Sequence, residues 1–318
     1  MKEVIVGVDV GGTNSPFGFV DSEGNILGKG SIKTSDFELF EDYLDALLIE
    51  VNAVAGALKD VSIKGYGIGA PNGNYYTGSI DNAPNLRWKG KILFSEMVRA
   101  KTGLPAYLTN DANAAAIGEK VFGNAKDMND FIIVTLGTGL GSGIFCGGQL
   151  LYGSTGFAGE LGHTIVIDGG RQCGCGRKGC LETYASATGI VKTVIKLLKE
   201  RTDESSLRYA DKDKIDSKSI YDAAVEGDKS ALEAFEYTGE ILGKALANAT
   251  AFSSPEAIFL FGGLANSGKY IFEPTKKHME ENMLNNFKGT VKVLPSGLKE
   301  NTAAMLGAAA LCWNEMNK

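Results

Sequence analysis

Glu3-Val4-Ile5-Val6-Gly7-Val8-Asp9-Val10-Gly11-Gly12-Thr13 is an apolar run that ends in a polar glycine turn. β-Branched residues bounded by glycines predict a strand that runs straight into a tight loop. The pattern returns at Phe131-Ile132-Ile133-Val134-Thr135-Leu136, which enters Gly137-Thr138-Gly139-Leu140-Gly141-Ser142-Gly143 before a second strand at Ile144–Cys146. A strand, glycine turn and strand that occur twice predict two related halves.

The segments between these runs complete an alternating α/β pattern. Phe17–Val20 and Asn25–Ile32 are expected strands, joined by the turn Asp21-Ser22-Glu23-Gly24. Apolar residues at three-four spacing make Glu38–Lys59 an amphipathic helix. Gly65–Gly73 reads as a strand entering a loop. A helix near Phe94–Thr102, a strand at Ala106–Thr109 and an alanine-rich helix through Val121 follow. In the second half, helices are expected near Tyr184–Lys199, Ser217–Val225 and Lys229–Phe252. Ala257–Phe261 is a strand entering Gly262-Gly263, Val291–Leu294 is the last strand, and Thr302–Trp313 is a final helix. Arg201–Lys218 is the most charged, loop-like stretch. At 318 residues the chain exceeds the usual reach of one core, so two domains are expected.

A net charge of −6 and the lack of a Lys/Arg-rich run argue against a nucleic-acid surface. The chain opens directly on an apolar strand, with neither a signal peptide nor a long apolar span. A cytoplasmic, membrane-free protein is expected. In that reducing compartment clustered cysteines point to metal ligation more than to disulfides.

Three of the five cysteines and one of the two histidines lie between Glu160 and Glu182, as Glu160-Leu-Gly-His163 and Cys173-Gly-Cys175-Gly-Arg-Lys-Gly-Cys180-Leu-Glu182. One imidazole and three thiols match a closed tetrahedral zinc site. The alternative is a disulfide loop or buried thiols. Cys173 and Cys175 are too close to pair easily, and three is an odd number. Cys146 and Cys312 read as ordinary buried thiols. Glu160 and Glu182 do not suit a sulfur-rich site as ligands, and with the imidazole they could accept hydrogen bonds from several hydroxyls.

The turns at Asp9–Thr13 and Gly137–Gly139 could close around phosphate oxygens with bare backbone N–H groups, although each alone could be a simple hairpin. Asn110-Asp111 precedes the alanine-rich helix, where both residue types are favoured caps. A carboxylate at a helix start is expected to stay ionised, as a hydroxyl-activating base must be. Two other motif matches fail. Gly263–Lys269 is followed by Tyr270 and lacks the P-loop hydroxyl, and Gly174–Gly179 carries the thiols and follows no clear strand.

Taken together, Asp9-x-Gly-Gly-Thr13, Asn110-Asp111, Gly137-Thr-Gly139, Glu160-x-Gly-His163, the three-cysteine run ending in Glu182, and Gly262-Gly263 resemble the ROK family of sugar kinases and repressors. The resemblance implies a two-domain actin/hexokinase-like (ribonuclease H-like) α/β fold with an interdomain cleft. The smaller domain would comprise 1–118 plus 301–318, where the final helix returns, and the larger would comprise 119–300 with the zinc loop. It further implies an ATP-dependent hexose kinase, with conversion of glucose to glucose 6-phosphate as the leading expectation. Asp111 would be the base, and Asn110, Glu160, His163 and Glu182 would hold the other hydroxyls. Gly11, Gly12, Thr13, Gly137, Thr138 and Gly139 would hold ATP phosphates, Asp9 would lie near Mg2+, and Gly262 and Gly263 near the adenosine. His163, Cys173, Cys175 and Cys180 would bind a structural Zn2+, with the second His163 nitrogen facing sugar. A homodimer or homotetramer is implied. Kinases for other hexoses or N-acetylhexosamines share these motifs. A sugar-responsive repressor without kinase activity is another alternative, disfavoured because β-structure begins within a few residues of Met1 and leaves no room for a helix-turn-helix; a catalytically idle sugar-binding protein is a further one, against which the intact Asp9, Asp111 and glycine turns speak. Two departures stand out: Pro16 lies at an expected strand position, and Gly69-Ala70-Pro71-Asn72 replaces the family's Gly-x-Pro-Gly.

Overall fold

The computed structural model describes residues 1–211, 214–299 and 302–318. The expected boundary between 300 and 301 therefore lies outside the described residues, as do 212 and 213 of the charged stretch. Two units are resolved by their internal packing. One comprises Met1–Met128, Leu150–Ala158 and Gly297–Lys318, and the other Asn129–Gln149 and Gly159–Ser296.

The first unit opens with β1 (Lys2–Asp9), β2 (Ser15–Val20) and β3 (Ile26–Ile32), followed by helix α1 (Phe40–Ala57) and β4 (Val61–Gly69). Three short strands, β5 (Gly73–Asn74), β6 (Ser79–Asp81) and β7 (Lys91–Ile92), form a separate small sheet ahead of α2 (Phe94–Thr102), β8 (Ala106–Thr109) and α3 (Asp111–Val121). The main sheet has the order β3-β2-β1-β4-β8. β1–β2 and β2–β3 are antiparallel, whereas β4 joins β1 and β8 joins β4 in parallel. Pro16 is tolerated because the pairing of β2 with β1 ends at Phe17.

β1 is apolar on both faces because both are covered. Val4, Val6 and Val8 join Phe17, Phe19, Tyr43, Leu44 and Leu47 in one core. Ile5 faces the opposite way, with Val20, toward Ala309 and Cys312 of the C-terminal helix, Ala303–Met316. That helix lies so close to the sheet that only glycine fits beneath it. A Cβ on Gly7 would stand 2.1 Å from the Met305 carbonyl oxygen, and one on Gly67 1.7 Å from that of Ala308.

The second unit repeats the plan. β9 (Phe131–Leu136), β10 (Leu140–Cys146) and β11 (Gln149–Leu150) precede α4 (Ala187–Glu200), α5 (Ser217–Val225), α6 (Lys229–Ser253), β12 (Ala257–Phe261), α7 (Lys269–Asn282) and β13 (Lys292–Pro295). The sheet order β11-β10-β9-β12-β13 reproduces that of the first unit. β9–β10 is antiparallel, and β12 and β13 are added in parallel. The repeated glycine-turn motif thus marks a repeated topology.

Some local expectations change. Helix α4 starts at Ala187 and not near Tyr184, because Ser186 Oγ accepts the Gly189 N–H at 3.0 Å and caps it. Cys146 is exposed and not buried. It is the last residue of β10, followed by Gly147 and Gly148 with φ of 58° and 76°. Among the described residues no helix is long and apolar enough to cross a membrane.

Candidate active site and metal centre

In the first unit, Asp9 ends β1 and the chain turns at once, with Gly11 N donating to Asn14 O at 3.1 Å. The glycines here are demanded by the protein's own backbone. A Cβ on Gly11 would lie 2.7 Å from Asn14 O, and one on Gly12 2.5 Å from Asn85 O. The half-buried Asp9 carboxylate accepts no hydrogen bond from the described residues. Burial, then the nearby Asp111 charge, push it up to about 6. Beneath the turn, Tyr43 OH donates to Ser15 Oγ at 2.9 Å, and Ser15 Oγ lies 2.8 Å from Thr34 Oγ1.

Asn110 caps α3 by accepting the Asn113 N–H at 2.6 Å, and Asp111 is the first helical residue, accepting from Ala112 N at 3.0 Å. Burial raises the Asp111 carboxyl while that N–H pulls the other way, a shift that the expectation of an ionised carboxylate at a helix start did not include. The side chain keeps solvent-accessible surface, which weakens this upward pressure relative to a fully enclosed acid. Asn72 answers for the missing glycine of its loop. It adopts φ 51° and its Nδ2 donates to Asp81 O at 3.0 Å, and Asn tolerates the left-handed region well.

In the second unit the turn Gly137–Gly139 leaves β9 and meets the Gly262-Gly263 turn, since Leu264 N donates to Leu136 O at 3.1 Å. Gly262 takes φ 101°, where a Cβ would lie 2.9 Å from Leu136 O. Gly137 is different: a Cβ there would meet nothing within 4 Å. A Cβ on Gly139 would stand 2.7 Å from Glu182 Oε2, which places the second turn beside one of the two glutamates.

The ligand atoms of His163, Cys173, Cys175 and Cys180 all lie within 4.8 Å of one another. Cys173 Sγ is 3.7 Å from His163 Nδ1, and Cys175 Sγ is 3.6 Å from Cys180 Sγ. Ligands of a tetrahedral zinc stand about 3.6–3.8 Å apart, given bonds of about 2.0–2.3 Å, so the donor set fits that ion. Burial raises the Cys175 thiol, but the Arg177 backbone and side-chain donors and the two neighbouring thiols outweigh it and bring it down to about 6. A thiolate is the form a metal binds. Cys173 is pushed up, by burial and by its bond to Glu182 Oε1 at 3.0 Å. His163 Nδ1 faces the sulfurs, while Nε2 lies 4.0 Å from Glu160 Oε2.

Arg171 locks this loop to the following helix, an anchor the sequence did not disclose. It donates to Thr183 O at 2.7 Å, Gly189 O at 3.0 Å and Thr193 Oγ1 at 2.9 Å, and lies 4.5 Å above the Tyr184 ring. Ser186 and Thr188 were also missed, because Ser-Ala-Thr reads as an ordinary helix start. Each unit thus gathers its own share of the expected residues: Asp9, the first glycine turn, Asn110 and Asp111 in the first, and the second glycine turn, Gly262, Glu160, His163, the cysteines and Glu182 in the second.

The ROK family profile matches residues 5–315. A glucokinase of Thermotoga maritima is 34% identical over 315 residues, which are 98% of this chain and 97% of that protein. A xylose repressor of Caldicellulosiruptor bescii is 32% identical over 85% of this chain and 67% of its own length. Among solved structures, the ROK family glucokinase from Streptomyces griseus in complex with glucose and AMPPNP superimposes with a TM-score of 0.81 at 32% identity, covering 97% of this chain and 98% of that one. The α/β architecture is the actin/hexokinase-like fold of these sugar kinases. With the motifs, the repeated topology and a match over nearly its whole length, the chain belongs to the ROK family.

Proposed function

We propose that the protein is an ATP-dependent glucokinase that transfers the γ-phosphoryl group of ATP to the 6-hydroxyl of glucose. The observation that carries this, beside the similarity to glucokinases, is the pair Asp9 and Asp111. Burial raises both carboxyls, the Asp111 charge adds to the cost of ionising Asp9, and Asp9 accepts no hydrogen bond from the described residues. A cation beside one and a hydroxyl beside the other would relieve both.

In the reaction, Asp111 accepts the proton of the 6-hydroxyl as its oxygen bonds to the γ-phosphorus. The bond from that phosphorus to the β–γ bridging oxygen breaks, and ADP leaves. A carboxyl held above its ordinary value is a better proton acceptor than an unperturbed one. Asp9 would hold Mg2+, which neutralises phosphate charge when bound. Thr138 and Gly139 N–H groups, with the Gly11–Thr13 turn, hold phosphate oxygens; Gly262 and Gly263 lie along the adenosine. Asn110, Glu160, His163 Nε2 and Glu182 accept or donate hydrogen bonds to the remaining hydroxyls. His163 Nδ1, Cys173, Cys175 and Cys180 would hold zinc, a closed set of four that fixes the loop and leaves no position for water. Positioning and electrostatics supply most of the rate in such chemistry.

A coupled assay of ADP release across glucose, mannose, fructose, allose and the N-acetylhexosamines tests the proposal. Glucose is expected to give the highest kcat/KM. No sugar-dependent ADP release at all would sink the kinase reading, and a clear preference for an N-acetylhexosamine would reassign the substrate.

A further inference from the structure

The start of α4 is bonded to the second glycine turn through two carbonyl groups. Ala187 N donates to Gly137 O at 2.8 Å, and Thr188 Oγ1 donates to Thr138 O at 2.8 Å. The third carbonyl of the turn, that of Gly139, accepts from Gly137 N at 3.1 Å. A peptide unit is planar and trans, so its C=O and the next N–H point in opposite directions. Pinning Gly137 O therefore turns the Thr138 N–H away from α4, and pinning Thr138 O does the same for the Gly139 N–H. No acceptor among the described residues is bonded to either N–H. Two adjacent, outward N–H groups form an anion nest. The strut itself is anchored at the zinc loop: Ser186, fully buried, donates through Oγ to Glu182 O at 2.6 Å and lies 3.2 Å from Thr188 Oγ1.

We propose that Thr188 is a positioning residue for phosphoryl transfer, which holds the Thr138–Gly139 peptide plane so that the Gly139 N–H meets a phosphate oxygen. Ser186 sets the strut by reference to the Glu182 backbone, so the phosphate turn and that glutamate keep a fixed spacing. This inference rests on the assignment of Gly137–Gly139 to the phosphates.

The test is Thr188→Val, which keeps the shape but removes the donor. The side chain is exposed, so the fold is preserved. Losing one hydrogen bond that orients the nest is expected to raise the ATP KM about five- to tenfold, with glucose KM changed less than about twofold. Thr188→Ser restores the donor and the ATP KM, a rescue that a purely packing role would not show. An unchanged ATP KM in Thr188→Val, or a serine variant no better than valine, overturns the proposal. Gly137→Ala separates the two levels, since its methyl meets only open space in the protein. If Gly137→Ala raises the ATP KM and Thr188→Val does not, the turn binds phosphate but the strut does not orient it. If neither moves it, the phosphate assignment itself fails and the proposal with it.

Discussion

Replacing Gly139 by alanine separates sugar recognition from phosphate binding within one short turn. The new Cβ would stand 2.7 Å from Glu182 Oε2, whereas ordinary contact begins near 3.4 Å, so the carboxylate must retreat by 3.4 − 2.7 = 0.7 Å or more. It is the end of a flexible side chain, so the fold absorbs the change by swinging Glu182 aside, and the melting temperature should move by no more than a few degrees. A hydroxyl held by that carboxylate would lose a charge-assisted hydrogen bond, worth about 1.5–3 kcal/mol. That corresponds to a loss of roughly ten- to a hundredfold in kcat/KM for glucose. Initial rates measured by coupling glucose 6-phosphate to its dehydrogenase, with ATP saturating and glucose varied, give the value directly. The reverse titration should show an ATP KM altered less than about threefold, because the Gly139 N–H is oriented by Thr188 and not by its own Cα substituent. Gly137→Ala should show the opposite pattern, sparing glucose and weakening ATP. An unchanged glucose kcat/KM in Gly139→Ala would refute the assignment of Glu182 to the sugar.

Asp111→Asn should lower kcat by about a thousandfold while glucose still binds within about threefold by calorimetry; robust turnover in that variant would remove Asp111 as the base. Cys175→Ser should cost the bound zinc, read by metal analysis, and raise glucose KM together with it; zinc loss with an unchanged KM would break the proposed coupling between the metal loop and the sugar. The Asp9 carboxyl, raised from 3.8 to about 6, contributes stability that is fully present below pH 4 and is lost as pH rises through 6. At neutral pH Asp9→Asn should thus stabilise the ligand-free protein by up to about 3 kcal/mol while abolishing turnover. Urea unfolding at pH 4 and 7 checks the sign, and a stability difference that grows toward low pH would contradict it. Wild-type activity should also fall below pH 6 as Asp9 takes up its proton.

Much of the architecture was legible because strand and turn chemistry are local. β9, β12, α2 and α5 begin and end where periodicity and turn residues place them, and the echo of the Asp9 and Gly137 turns foretold two sheets of one topology. The small β5–β7 sheet was not legible, since two-residue strands such as Gly73–Asn74 carry no period. Nor was the anchoring of Leu150–Ala158 to the first unit, which depends on Asn74 Nδ2 donating to Thr155 O at 2.8 Å across 81 positions and on Tyr75 stacked 4.0 Å from Tyr152. At the site, the clustering of His163, Cys173, Cys175 and Cys180 was plain from residue types and spacing. The rise of the Asp111 carboxyl was not, because the burial that causes it has no local sequence signal. The reason for each glycine was equally hidden: Gly11, Gly12 and Gly262 serve the protein's own backbone, while Gly137 does not.

The C-terminal helix that lies over Gly7 and Gly67 also sets an order of events during synthesis. β1 and β4 emerge early, but one face of their sheet is completed only by Ala303–Met316, more than 200 residues later. The larger part of the second unit, Gly159–Ser296, is contiguous and is fully synthesised before that helix exists. Folding during translation proceeds by units as they become complete. The face that carries Ile5 and Val20 is therefore completed last, only once that helix has been made.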